Sequence, residues 1–175
     1  MQASPVPPSR NKLFVKLAAV VVVAAIAVGG FLSLSSTKSA PDVTFVDLQG
    51  TRIALSSLRG KVVMVNFWAT SCTTCVKEMP QMIDTYERYN ARGLDFVAVA
   101  MSYDPPNYVL NFTETRKLPF TVALDPQDTL AKAFGDVKLT PTTFLIDKKG
   151  KIIKRYVGEP DFAALHQLLE VALAG

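Results

Sequence analysis

The sequence is short of the side chains that bind metals or staple small domains: its 175 residues include one histidine, His166, and two cysteines, Cys72 and Cys75. A structural zinc site takes about four such ligands, so this chain lacks the supply for one, and a framework of several disulfides is excluded for the same reason. Acidic residues are missing from positions 1–40, where Arg10, Lys12, Lys16 and Lys38 are the only charges. Those four account for the whole net charge of +4, because the rest of the chain carries 15 basic and 15 acidic residues. The globular part therefore has no cationic surplus to set against a phosphate backbone, and no nucleic-acid partner is expected. Internal repeats and low-complexity tracts are also missing.

What the first forty residues do have is a run from Leu17 to Leu34 without a single charge, mostly apolar or small. It is long enough to cross a bilayer, near the lower limit, and exceeds the ~7 to 15 apolar residues of a secretory signal peptide. The expected organisation is a cytoplasmic basic tail at 1–12, a transmembrane signal anchor at 13–34, a tether at 35–41 and a folded domain at 42–175. With positive charge on the N-terminal flank only, the tail stays inside and the domain faces the extracytoplasmic, periplasmic side. Cleavage near Ser33-Leu34-Ser35 is the competing reading, and it exports the domain equally. The absence of cysteine from this segment excludes a lipid-anchored version of the signal.

The domain alternates strand-like and helix-like stretches, which predicts an α/β fold with a parallel portion reached by right-handed crossovers. Val43–Asp47 and Arg52–Leu55 flank Gln49-Gly50 as an N-terminal hairpin. Val62–Phe67 has almost no polar interruption, as in a strand buried on both faces. A helix from about Thr73 to Ala91 is expected to turn Val76, Met79, Ile83, Tyr86 and Asn90 inward, with a bend at Pro80. Leu94–Met101 is the next strand, and Pro105-Pro106 opens a second helix. Phe120–Leu124 is a short strand, followed by a turn and short helix at Asp125–Phe134. Thr142–Asp147 and Ile152–Val157 then form a hairpin around Lys148-Lys149-Gly150. A last helix, Asp161–Leu173, turns Phe162, Leu165, Leu168, Leu169 and Ala172 to the core.

Both cysteines fall where the buried strand hands over to the first helix, three residues apart. A disulfide closing so short a loop removes little unfolded-chain entropy, so a purely structural bond is the weaker reading. At a helix N-terminus, unpaired N–H groups and the helix dipole favour a thiolate on Cys72. Cys75, one turn further in, faces the same side but is shielded. The asymmetry assigns attack on a partner to Cys72 and resolution of the mixed disulfide to Cys75. Cu(I) binding by the two thiolates, with Met79, Met82 or Met101 assisting, is an alternative of a different class. A thiol peroxidase is a weaker one, since the Pro and Thr pattern of a peroxidatic site is missing before Cys72.

The segment Val65-Asn66-Phe67-Trp68-Ala69-Thr70-Ser71-Cys72-Thr73-Thr74-Cys75, with Glu78 and Pro80 after it, resembles the active site of membrane-anchored thioredoxin-like proteins of the TlpA/ResA group. Leu139-Thr140-Pro141-Thr142-Thr143-Phe144 is similar to the loop in which that fold holds a cis-proline beside its cysteines. Asp47-Leu48-Gln49-Gly50 through Leu58-Arg59-Gly60-Lys61, and Ala123-Leu124-Asp125-Pro126, extend the resemblance over about residues 42–173. It implies a thioredoxin-like fold, a central mixed sheet flanked by helices with an extra N-terminal β-hairpin, preceded by one transmembrane helix. It implies a thiol:disulfide oxidoreductase with a redox-active Cys72–Cys75 disulfide and no cofactor or metal. The direction implied is that of a reductant in the exported compartment, for instance in cytochrome c or copper-site maturation. Disulfide-containing exported proteins would be its substrates and a membrane dithiol its electron donor.

The same resemblance implies catalytic roles for Glu78 and Pro141, with Trp68, Thr73, Thr74 and Thr140 as substrate contacts. Asn66 stands where thioredoxins carry a buried Asp, and an amide cannot exchange a proton in the working pH range. Glu78 would take the thiol proton of Cys75 if burial raises its pKa. Ser71 replaces the Trp that most relatives have before the first cysteine. Tyr103-Asp104-Pro105-Pro106 follows a parallel strand and is expected at the same sheet edge as the cysteines, packing a loop rather than touching substrate.

Overall fold

The computed structural model describes residues 38–175, so the basic tail at 1–12, the signal anchor at 13–34 and residues 35–37 of the tether lie outside the described residues. Among the described residues no helix is long and apolar enough to cross a membrane. The folded unit includes Lys38. Residues 38–41, expected in the tether, are already tied down: Ala40 N donates to Gly150 O at 2.9 Å, Ile152 N donates to Lys38 O at 2.9 Å, and Ser39 bridges Lys151.

Two short strands, β1 (Thr44–Val46) and β2 (Arg52–Ala54), form the N-terminal hairpin in antiparallel register. A 3₁₀ turn at Leu55–Leu58 follows, where the sequence suggested that the second strand ran on through Leu55. The main chain then builds β3 (Val62–Trp68), α1 (Thr73–Tyr89), β4 (Leu94–Ala100), α2 (Pro106–Arg116), β5 (Thr121–Leu124), α3 (Thr129–Ala133), β6 (Thr142–Ile146), β7 (Ile152–Val157) and α4 (Phe162–Ala174). The sheet order is β5-β4-β3-β6-β7, with β3, β4 and β5 parallel and β6 and β7 joined antiparallel. β3 lies at the centre and every one of its residues is buried, which explains its uninterrupted apolar character. The hairpin protects an edge of this sheet, since Leu48 N donates to Val122 O at 3.2 Å and Asp47 bridges Ala123 on β5.

The period-2 alternation of β3 divides the core into two layers. Val62, Met64 and Trp68 pack with Met79, Met82 and Tyr89 of α1, Val109 of α2 and Leu165, Leu169 and Leu173 of α4. Val63, Val65 and Phe67 pack on the other side with Phe45 of the hairpin, Leu130 of α3, Phe134 and Phe144. Asn66, between them in sequence, shares the face of Met64 and Trp68 and so points toward α1.

α1 turns Cys75, Glu78, Met79, Met82, Thr85 and Tyr89 to the core. This is one residue out of phase with the expected stripe: Val76, Ile83 and Tyr86 are only half-buried and Asn90 is exposed. The cause is that two inward positions are polar, Glu78 and Thr85, so apolar character alone marked their neighbours. Thr85 Oγ1 is satisfied there by Gln81 O at 2.7 Å and His166 Nε2 at 2.9 Å. The helix runs through Pro80, which is exposed, and passes into a 3₁₀ turn at Asn90–Arg92. Gly93 closes that turn at φ +102°, a conformation few side chains adopt.

Candidate active site

The parallel strands β3 and β4 both end at the edge where α1 begins, and β6 starts there because it runs the other way. Open sheets bind ligands at such carboxyl ends. Phe67 pairs with Thr142, so the next position on each strand sets Trp68 against Pro141. The Thr140–Pro141 peptide is cis, as the sequence resemblance implied. Pro141 is buried and its carbonyl accepts from Gly158 N at 2.8 Å, while Thr140 is half-buried.

Cys72 and Cys75 are joined by a disulfide, with Cα atoms 5.2 Å apart. Cys72 is the N-cap of α1: its backbone is extended, its Sγ accepts from Cys75 N at 3.2 Å, and its carbonyl accepts from Val76 N at 3.0 Å. A sulfur in this position receives an otherwise orphaned helix N–H, and the first turn contains no acidic residue to oppose a negative charge. Cys72 is partly exposed, and Cys75 is completely buried. One sulfur is within reach of a partner and the other can be reached only through it.

Glu78 lies three residues beyond Cys75 on the inward face of α1 and is 1% exposed. Asn66 is equally buried and donates its side-chain amide to Glu78 Oε1 at 3.2 Å and to Thr143 Oγ1 at 2.9 Å. Glu78 Oε2 and Asn66 Oδ1 have no partner among the described residues. Burial pushes the Glu78 carboxyl up to about 8; the Asn66 hydrogen bond works against that, and the negative charge of Glu159 adds to it. A carboxyl with such a value near neutral pH can accept and return a proton.

Two loops are bolted together around the cysteines. Asp104, buried at the end of the β4–α2 loop, accepts from Thr70 N at 2.6 Å and from Thr70 Oγ1 at 2.5 Å. Its neighbour Tyr103 is exposed, and its hydroxyl meets Thr140 Oγ1 at 3.2 Å. The sequence placed this loop at the correct edge; Asp104 itself was missed as a support for the cysteine turn. The available signal was an acid just after a parallel strand and a threonine two residues before Cys72.

This is the architecture and the site of a known family. The match to the redoxin family covers residues 35–169. The chain belongs to the redoxin family. It is 38% identical over 133 residues, 76% of each chain, to a thiol-disulfide oxidoreductase ResA of Bacillus thuringiensis subsp. konkukian. Its identity to the thiol-disulfide oxidoreductase ResA of Bacillus subtilis is 36% over 143 residues, 82% of this chain and 79% of that one. Among solved structures, a thiol:disulfide interchange protein of the thioredoxin family from Chlorobium tepidum TLS matches with a TM-score of 0.72 and 29% identity, covering 79% of this chain and 98% of that one. The fold of the redoxin domain is therefore thioredoxin-like, and the chain is a thiol:disulfide oxidoreductase whose pair is Cys72 and Cys75.

Within the redoxin domain the expected site residues divide. Cys72, Thr73, Thr74 and Thr140 reach the surface, and Cys75, Glu78 and Pro141 lie beneath it. Trp68 is a correction to the expected substrate contacts: it is 0% exposed and its ring packs against Phe112 at 5.2 Å, so it forms core and offers a substrate no surface. The thioether set proposed for Cu(I) also separates, because Met79 and Met82 share the layer of Cys75 whereas Met101 is in the opposite one. Among the described residues no three His, Cys, Asp or Glu side chains cluster as a metal site.

Proposed function

We propose that this redoxin is a membrane-tethered reductant of disulfides in exported proteins, such as cytochrome c apoproteins or copper-site proteins. The observation that carries the reading is the unequal exposure of the pair, Cys72 partly exposed at a helix N-terminus and Cys75 wholly buried. In this mechanism the Cys72 thiolate attacks one sulfur of the substrate disulfide and expels the other as a thiolate, leaving a mixed disulfide. Cys75 then attacks Cys72 Sγ, expels the second substrate thiolate and closes the protein disulfide. Two electrons pass from the protein dithiol to the substrate. Glu78 takes the proton of the Cys75 thiol, a role supported by its burial and its raised pKa of about 8. Substrate lies along Thr73, Thr74 and Thr140, beside Pro141. A membrane dithiol restores the reduced pair.

The anchor at 13–34 holds the domain on the extracytoplasmic side, a reading supported by the charge-free run Leu17 to Leu34 and the basic residues before it. Labelling whole cells with a membrane-impermeant maleimide after mild reduction tests the orientation: Cys72 should react from outside, and reaction only after lysis would refute it. The direction of electron flow is tested by equilibrating the protein with dithiothreitol or glutathione buffers. A potential near that of thioredoxin, about −270 mV, supports the reductant, and one near about −120 mV makes the protein an oxidant instead.

A further inference from the structure

We infer that Tyr103 is a specificity-determining residue of this site, selecting substrate segments that carry a large apolar or aromatic side chain next to the reacting cysteine. The inference rests on the reductant reading above and names its substrate class. Around Cys72 the helix entry itself offers little grip, since Ser71, Thr73 and Thr74 are exposed but small and polar. Large apolar surface comes from other elements that end at the same edge. Tyr103 follows β4 and is 56% exposed, Leu139 precedes β6 and is 65% exposed, and Val157 ends β7 and is 56% exposed. Val157 pairs with Thr142, the residue after Pro141, so it belongs to the same rim. A solvent-exposed tyrosine ordinarily loses nothing by moving freely, but this one is held at both ends. Its backbone neighbour Asp104 is fastened to Thr70, two residues before Cys72, and its hydroxyl meets Thr140 Oγ1 at 3.2 Å. The ring is thereby held between the cysteine turn and the proline loop while the residue stays more than half exposed, the arrangement in which an aromatic side chain binds at small entropic cost. A substrate strand running along Thr140 would place the side chain flanking its cysteine against this ring, with Leu139 and Val157 on the opposite side.

The test compares two synthetic peptides, each closed by one intramolecular disulfide, with either Phe or Gly flanking the cysteine that Cys72 attacks. Reduced full-length protein is the electron donor, and kcat/KM is measured for each peptide with wild type, Tyr103→Ala and Tyr103→Phe. Wild type should prefer the Phe peptide, and Tyr103→Ala should cut the ratio of the two constants about tenfold, mainly through KM. Tyr103→Phe keeps the ring and loses the bond to Thr140, so its ratio should fall between the other two. Because the ratio is internal to each variant, a partial loss of folded protein does not move it. An unchanged ratio in Tyr103→Ala, with wild type reducing both peptides, overturns the inference and leaves the reductant reading intact. Failure of wild type to reduce either peptide overturns both.

Discussion

Glu78 keeps its carboxyl where water does not reach it, tied by one oxygen to an amide and by the other to nothing among the described residues. Its pKa rises from an ordinary 4.5 to about 8, so the folded protein holds the proton more tightly than the unfolded chain does. The stability that this proton binding contributes is fully present below about pH 4.5 and is lost as pH rises through about 8. Urea unfolding of the oxidised protein across that range should show the decline, and Glu78→Gln should flatten it. The same variant should slow resolution of a preformed mixed disulfide by roughly a hundredfold at neutral pH, the scale of a lost proton acceptor, in stopped-flow measurements. Sequence made this residue legible through its spacing from Cys75 and its resemblance to a known active site. The same resemblance implied a substrate contact for Trp68, yet the strict alternation of β3 sends it into the core with Met64.

The elements show how the turn that holds Cys72 is kept in place. β3 and α1 meet in a loop that the Asp104 carboxylate grips at Thr70, through a backbone N–H and a hydroxyl at once. Asp104→Ala leaves both donors without this partner and should destabilise the protein by about 2–3 kcal/mol in chemical denaturation. Asp161 caps α4 by accepting from Ala163 N and Ala164 N at 2.9 and 3.1 Å. Its replacement by Ala should cost about 1 kcal/mol and leave the potential of the Cys72–Cys75 pair unchanged. Strand positions were legible because apolar runs bounded by turn residues are unambiguous in β3 and β4. The phase of α1 was not, because two of its inward positions are polar, Glu78 bonded to Asn66 and Thr85 meeting His166, and helical periodicity of apolar residues reads polar ones as outward.

For the whole molecule, alternation of strand and helix with a terminal hairpin predicted the mixed sheet, and two apolar runs around Gln49-Gly50 predicted the N-terminal hairpin, but neither showed what that hairpin does. It closes the β5 edge and sinks Phe45 into the layer beneath Phe67, with no exposure left. Phe45→Ala should cost about 3–5 kcal/mol, measured by thermal or urea unfolding, although it lies on the face of the sheet away from Cys75. The fold presents one sulfur, that of Cys72, and hides the other, that of Cys75. That division of labour is tested most directly by single serine replacements in the full chain, with mixed disulfides trapped by acid and identified by non-reducing electrophoresis and mass spectrometry. Cys75→Ser should accumulate adducts through Cys72, and Cys72→Ser should accumulate almost none. Equal trapping by the two variants, or trapping through Cys75 alone, would contradict the account.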